Sequence, residues 1–531
     1  MNTKVIRIMK LMLVSLGIVS AQNFSYVDGD WDIKTSPNII NAMAESTWDI
    51  FIATDNGIYV WDKMNESITY AFTLTYYLRS KNVYHLYYDL NTDFFWAVHE
   101  NGISYKPAVG TFWTDTSLPI IPSRVSDIGS TDGIVWFDYQ GKYISVDAFT
   151  GVEVVPDEFA NTDFIQWGYS RFGRAGDNLE TINNTFDDEF TDENREYALY
   201  NPVRTTMKMP DSKGNYWVGT NKGYVFLQGR HSSRGEKIYL GTPNTEVTTL
   251  YYDRDQNWWM GDNRFKRMGH KSKLIREEKF LYKWNEMNDH WTEYSTKYLD
   301  LIHDTNINCI LRVKYYLYVG TLEGLLILNI ADDEWDIISE GLLDPSVWDM
   351  VEKDGKLYLA TAKGVQVLSI PENELDVNQP EFLNDLRGSE IFDLDIKDQD
   401  LFVAANSGVY RINLAKEKSK KITSQSFKSL SAQGDQLILA NDGLWKVKKG
   451  DQLEQFYFDD VFKFSVSGKF VWITTGKEAI LFDMKNERET SYSADDGIPG
   501  SVIYEINCDD NWVWFGTNNG IAIYNWSRYH K

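Results

Sequence analysis

NWVWFGTNNGIAIY at residues 511–524 and FIATDNGIYVW at residues 51–61 are one phrase written with different apolar residues. In each, two short apolar runs flank a Thr and a tight turn that ends on Gly, which a close hairpin favours because the turn needs a positive φ. One copy predicts a hairpin. Nine further copies, beginning at residues 94, 134, 216, 258, 317, 357, 401, 437 and 471, make the phrase a repeat. Gly57 to Gly102 spans 45 residues, Gly324 to Gly364 spans 40, Gly364 to Gly408 spans 44 and Gly408 to Gly443 spans 35. A period near 40 is that of a four-stranded propeller blade.

The interior of the repeat gives the strands. An alternating run such as SVIYEINCD (501–509) leads through a polar turn into WVWFGT, then NNG, then IAIYN, and complete repeats add a further run such as DEWDIIS (333–339). These read as strands a to d of one antiparallel sheet. Aromatic residues at 15% and only 12 Pro suit packed strands. The predicted fold is all-β: tandem β-propellers of about 11–12 four-stranded blades of roughly 40 residues, because eleven copies exceed the four to eight blades that close one ring.

The expected division is a signal peptide at 1–21, an amino-terminal propeller region at 22–300 and a carboxy-terminal one at 301–531. The first holds blades 1–5 and a degenerate blade or flap at 157–202; the second holds blades 6–11. YVDGDWDIKTS (26–36) reads as a d strand with no blade before it, while the last repeat stops short of its own. Residues 26–36 are therefore expected to complete the last blade. In the alternative division, one propeller holds both termini and the other is inserted in it.

DSKGNYWVGTNKG (211–223) shows an acidic, Gly-containing turn, then Trp, an apolar residue, Gly-Thr, two polar residues and Gly. This pattern resembles the two-component regulator propeller repeat, and the likeness covers most of the chain after residue 36. That family commonly forms the extracytoplasmic sensor of bacterial hybrid histidine kinases, so the resemblance implies a sensing or ligand-binding propeller. No membrane-spanning run, added β-sandwich or kinase core is expected after the last repeat, and hence no signalling through its own chain.

Lys4, Arg7 and Lys10 precede the apolar run at 11–19, and Val19, Ser20 and Ala21 offer the small-residue spacing of a signal-peptidase site. A leader cleaved after Ala21 is expected, with export to the periplasm or beyond. The run is far shorter than the ~20 residues that span a bilayer, so no membrane span is expected in the mature chain. Cys309 and Cys508 read as buried small residues, and the seven His residues show no metal-ligand spacing. No metal and no cofactor are expected.

With 77 acidic against 53 basic residues, the net charge is −24. Such a surface repels nucleic acid, which is not expected as a partner. One stretch departs from this balance. DNRFKRMGHKSKLIREEK (262–279) carries seven basic and three acidic residues in a b-to-c turn that elsewhere takes two to four residues. Strands alternate in direction, so b-to-c turns and d-to-a connections share one rim, the usual binding face of a propeller. Arg264, Lys266, Arg267, Lys271 and Lys273 are thus candidate ligand-binding residues for an anionic glycan or an acidic protein surface, with Arg supplying bidentate contacts and Lys point charges. The plainer alternative is a solvated surface loop.

A second insertion, between Pro156 and Pro202, opens with FIQWGYSRFGR (164–174). Trp167 and Tyr169 could form an aromatic platform for a sugar ring, or belong to a degenerate blade or packed flap. Asp253, Asp255 and Asn257 resemble the opening of a calcium loop, but no bidentate Glu closes it. No nucleophile elbow, phosphate loop or His-Glu zinc motif is present, no catalytic residue is nominated and no enzyme is expected. The expected function is an exported ligand-binding or sensing propeller that recognises a carbohydrate or other extracytoplasmic ligand on the shared rim. The alternatives are a protein-interaction or envelope-assembly scaffold, and a polysaccharide lyase or glycosidase, which would show buried carboxylates converging in a cleft.

Overall fold

The computed structural model of the protein describes residues 26–155, 162–173, 203–230, 235–242, 246–253, 255–261, 279–287, 289–295, 306–370, 381–433 and 436–530. Among them, eleven antiparallel sheets follow one another along the chain. They are numbered here as blades 1–11, beginning at residues 40, 83, 125, 205, 249, 307, 347, 391, 429, 463 and 503. Blade 6 shows the plan: strand a is Ile307–Val313, b is Tyr316–Thr321, c is Leu325–Asn329 and d is Glu334–Ile338.

Strand b is where the repeat phrase begins, and its continuous apolar run has a simple cause. Both faces of the sheet are covered there, so Leu317, Tyr318, Val319, Gly320 and Thr321 are all buried. Full burial of such an aliphatic side chain contributes about 1.5–3 kcal/mol. Strand d lies at the outer edge and holds charge instead, as in Lys418–Thr423, where no residue is fully buried. Lysines on an edge also discourage pairing with another chain.

Packing between innermost strands sorts the blades into two sets. Strand a of blade 5, Thr249–Tyr252, packs on strand a of blade 6 and on that of blade 11, Ile503–Cys508. Blades 6 to 11 pack in sequence between them, which closes a ring of seven. In the other set, blades 4, 1, 2 and 3 pack in that order through Thr205–Pro210, Ile40–Glu45, Val83–Asp89 and Val125–Thr131.

Blade 11 takes its outer strand from far away in sequence. Trp31–Lys34 pairs antiparallel with Gly520–Tyr524, Trp31 opposite Tyr524 and Lys34 opposite Ile521. The junction is clamped at its end by Asp30, a fully buried carboxylate that accepts from Arg528 at 2.7 Å and from the Tyr529 hydroxyl. After blade 1, the helix Phe72–Leu78 packs Phe72 into the same core as Tyr26, Trp31 and Tyr524.

Of the insertion at 157–202, only 162–173 is described, and it forms no sheet of its own. Gln166–Trp167 pairs with the inner edge of blade 3, Trp167 opposite Gly129, and Tyr169–Ser170 pairs with the inner edge of blade 1, Tyr169 opposite Met43. The segment is a strap across the middle of the smaller set. Its crossing point is Gly168, whose N–H donates to the Ile128 carbonyl at 2.8 Å. A Cβ at Gly168 would lie 3.1 Å from that oxygen and from the Tyr87 ring, so a side chain would press on the strap's own anchor.

Candidate functional site

The rim that sequence reasoning selects is built by the Thr and Gly of the repeat phrase. Thr517 donates its hydroxyl to the Gly520 carbonyl at 2.9 Å and accepts the Asn519 N–H at 3.0 Å. The same pair of bonds recurs at Thr54, Thr321 and Thr361, all fully buried. A local hydroxyl-to-backbone bond of this kind stabilises a turn without a ladder. Gly520 has φ +91, and a Cβ there would approach the Lys34 carbonyl to 2.1 Å, so the position needs glycine twice over.

The residue after the Thr ties the turn to the incoming d-to-a connection. Asp55 accepts the N–H groups of Asn38 and Ile39 at 2.9 and 3.1 Å, and Asn518 accepts those of Ser501 and Val502 at 2.9 and 3.0 Å. The b-to-c turns and d-to-a connections therefore do share a rim.

A cleft of about 950 Å³ opens on that rim between blades 1 and 2 and the loop that leads into blade 11. The helix Phe72–Leu78 and its continuation bring Tyr77, Arg79 and Lys81; the b-to-c turns bring Asn56 and Asn101; the far side holds Asp495. Phe112 is 66% exposed at its edge, its ring 4.8 Å from that of Tyr77 in an edge-to-face contact. Burial lowers the Lys81 ammonium from its usual range while Asp495 acts in the opposite direction. Among the described residues no carboxylate pairs with it. A half-buried ammonium beside two side-chain amides and an exposed ring can take the acidic group and the apolar face of a sugar.

Arg264, Lys266, Arg267, Lys271 and Lys273 lie outside the described residues. Trp167 and Tyr169 belong to the central strap and not to the rim cleft. Trp167 is half-buried with its ring 5.6 Å from Tyr143. Tyr169 packs against the core shared by blades 1 and 4, and burial, with Glu45 next, raises its hydroxyl pKa. The candidate calcium loop has a different occupation. The Asp253 carboxylate accepts from Asn257, from the Trp259 indole at 2.9 Å and from Arg312 at 2.8 Å, so its oxygens lock the a-to-b turn. Among the described residues no group of three potential ligands could hold a metal ion.

Sequence reasoning missed a charged cluster on the axis of the seven-bladed ring. Strand a of blades 6, 7, 8 and 11 carries a bulge at the same level, between Ile307 and Cys309, Val347 and Asp349, Ile391 and Asp393, and Ile503 and Glu505. A bulge re-aims the side chain that follows it. Asp349 and Asp393 hydrogen-bond to each other; Asp393 also accepts the Ser429 hydroxyl and the Leu430 N–H, each at 2.7 Å. Lys463 donates to Glu505 at 3.2 Å. It feels Asp393 and Asp349 as well, and its pKa rises to about 12, chiefly through Glu505. Its side chain is 45% exposed although protein surrounds it, as befits the wall of a channel.

These are converging carboxylates, yet their oxygens serve the fold. Asp349 accepts the Leu394 N–H at 2.8 Å and Asp395 accepts the Ala432 N–H at 2.7 Å. Among the described residues, the innermost strands of the seven-bladed ring have no sheet neighbour on the axis side, and a carboxylate reaching from the preceding blade satisfies N–H groups left there.

Burial, with Asp393 next, holds Asp349 well above the usual carboxylate range. The folded ring thus keeps a proton that the unfolded chain loses near pH ~4. Its contribution is fully present below that pH and is lost as pH rises through the folded value. Asp349→Asn, which keeps an acceptor and supplies a permanent donor, should flatten this alkaline decline in urea unfolding measured across pH. Comparison with the parent cancels His85, His99 and His530, which burial lowers to about 4 and which act in the opposite direction. An unchanged slope in the variant would remove the pair from the account.

No protein-family model and no curated protein sequence matches the chain. Among solved structures it is similar to the extracellular domain of a putative hybrid two-component system from B. thetaiotaomicron, at 13% identity over 91% of this chain and 70% of that one, with a TM-score of 0.41. It is also similar to PorZ, a surface component of the type-IX secretion system of Porphyromonas gingivalis, at 11% identity over 94% and 87%, with a TM-score of 0.45. A third likeness is to a catalytically inactive virginiamycin B lyase from Staphylococcus aureus, at 11% identity over 52% of this chain and 94% of that one, with a TM-score of 0.40.

Proposed function

We propose that the protein is an exported ligand-binding or sensing propeller that recognises a carbohydrate in the rim cleft, by binding and without catalysis. The observation that carries this reading is the pairing, in one cleft of about 950 Å³, of the exposed Phe112 ring with Lys81, Asn56 and Asn101. Sites of that size suit small ligands, and a few convergent polar groups on an aromatic wall set their orientation. The half-buried Lys81 favours an acidic sugar, in keeping with the anionic partner inferred for the basic loop. Export rests on the leader expected at residues 1–21, outside the described residues.

The domain boundary proposed with it falls between blades 4 and 5 instead of at residue 300. It is supported by the packing of Thr249–Tyr252 against strand a of both blade 6 and blade 11. Residues 31–34 and 503–524 then share one ring, into which blades 1–4 are inserted.

A thermal-shift series with neutral and uronate-containing oligosaccharides tests the binding reading. A ligand at one hundred times its Kd should stabilise the parent by about 2.7 kcal/mol. Phe112→Ala should abolish the shift while altering the unliganded protein by less than about 0.5 kcal/mol, since the residue is exposed. Absence of a shift with every glycan, or an equal shift in the variant, counts against a glycan site here. A protein-interaction scaffold is the second reading, favoured by Val109, Val152 and Phe164, which are 94%, 61% and 70% exposed.

A further inference from the structure

On the other side of the helix Phe72–Leu78, a second cleft of about 940 Å³ lies between blades 1 and 2 and the a-to-b turns of blades 5 and 11. One wall is aromatic. The Tyr252 ring is 4.4 Å from Trp258, Trp258 is 5.6 Å from Trp514, and Trp512 extends the surface. Two exposed carboxylates are set into this wall. Glu286 accepts the Tyr252 hydroxyl at 3.2 Å and the Trp258 indole at 3.4 Å, while Asp509 accepts the N–H groups of Asn511 and Trp512 at 2.8 and 2.6 Å.

Among the described residues neither carboxylate pairs with a Lys or Arg. Lys34, which lies near Glu286, is buried and bonded to Asp289 at 3.5 Å. Among the described residues, Asp28 and Asp32 also line the cleft, against the single cation Lys106. That lysine is buried, its ammonium 5.8 Å from the centres of both the Phe95 and Trp113 rings. The cleft is thus rich in π faces and negative charge, and apolar along Val27 and Val109, which are 44% and 94% exposed.

We propose that this cleft is a second binding site, for a small organic cation that carries an ammonium group on an apolar body. Aromatic faces carry the negative side of the ring quadrupole, and a cation beside the exposed Tyr252 and the half-buried Trp512 and Trp514, which the buried Trp258 backs, is attracted most strongly where water is partly excluded. Glu286 and Asp509 add full negative charges beside those faces. An anion would meet four carboxylates. A neutral molecule would leave Glu286 and Asp509 without a counter-charge in the cleft. Tyr252 stays a neutral donor throughout the physiological range, because burial and then Glu286 push its pKa up to about 12.

The site shares Tyr70 and Phe72 with the rim cleft, so its test changes residues that line this cleft alone, with Phe112, which lines only the rim cleft, as the control. The full chain is titrated with tetramethylammonium, choline, phenyltrimethylammonium and phenethylamine, and with the neutral carbon isostere of choline, by tryptophan fluorescence and calorimetry. The ammonium compounds should bind, and the isostere should bind roughly tenfold more weakly than choline. Glu286→Gln and Tyr252→Ala should each weaken choline several-fold, while Phe112→Ala leaves it unaltered. Equal binding of choline and its isostere, no binding by any of the four ammonium compounds, or parental affinity in Glu286→Gln would overturn the proposal.

Discussion

Removal of residues 26–36 should give a chain that elutes as aggregate and lacks the cooperative melting of the seven-bladed ring. Trp31 stacks 4.3 Å from Tyr524 and also contacts Phe72 and Phe515, and Tyr26 meets five aromatic rings edge-on at 5.5–5.9 Å. Loss of one large buried aromatic costs about 3–5 kcal/mol, and here Tyr26, Trp31 and Ile33 go together, against a total stability of about 5–15 kcal/mol for a typical domain. The deletion also bares the backbone of Gly520–Tyr524, an unpaired edge that invites another chain. Trp31→Ala is the milder companion, expected to cost about 3–5 kcal/mol with the strand still in place. If the deleted protein elutes and melts as the parent does, closure by this strand does not hold the ring.

Trp217→Ala should destabilise blades 1–4 by about 3–5 kcal/mol, which in calorimetry would lower their transition and leave that of blades 5–11 in place. Trp217 is 2% exposed, packs 5.5 Å from Trp61 across the interface between blades 4 and 1, and donates its indole N–H to Asp211 at 3.3 Å. Trp514 holds the same place in its repeat, yet it is only half-buried, against Trp258. Its replacement should cost less than that of Trp217. Equal losses at the two positions would mean that the repeat register, and not the burial reached in each blade, sets the energy.

The contrast between these two tryptophans marks where sequence reasoning stops. Their shared register was legible, because it depends on the period alone. Their burial was not, because it depends on which blade lies opposite. Trp48, close to the first repeat, is 64% exposed because it lies in the a-to-b turn between Ile40–Glu45 and Asp49–Thr54. The rim was legible from strand direction, but the cleft on it was not, since the helix Phe72–Leu78 is short and carries no capping side chain that would announce it. The axial pair Asp349 and Asp393 was also hidden. They lie 44 residues apart, and only a bulge repeated at one level of successive inner strands brings them together.

What the sequence by itself determined is the blade. Its causes all lie within a dozen residues: the Thr hydroxyl that closes the turn on Gly, the positive φ that the Gly accepts, and the apolar run that needs cover on both faces. Such bonds are local and directional, so they are the same wherever the blade ends up. What only the tertiary structure decided is the company each blade keeps: seven in one ring and four in the other set, Trp31–Lys34 on the last blade, the strap through residues 166–170, and two clefts on either side of one helix. The physical reason is that one blade meets the next through apolar faces, and apolar burial is nearly indifferent to which residues supply it. Repeats that share a pattern offer faces that are almost interchangeable, and the choice among them rests on chain connectivity and on the few polar contacts, such as Asp30 with Arg528, that fit in one arrangement alone.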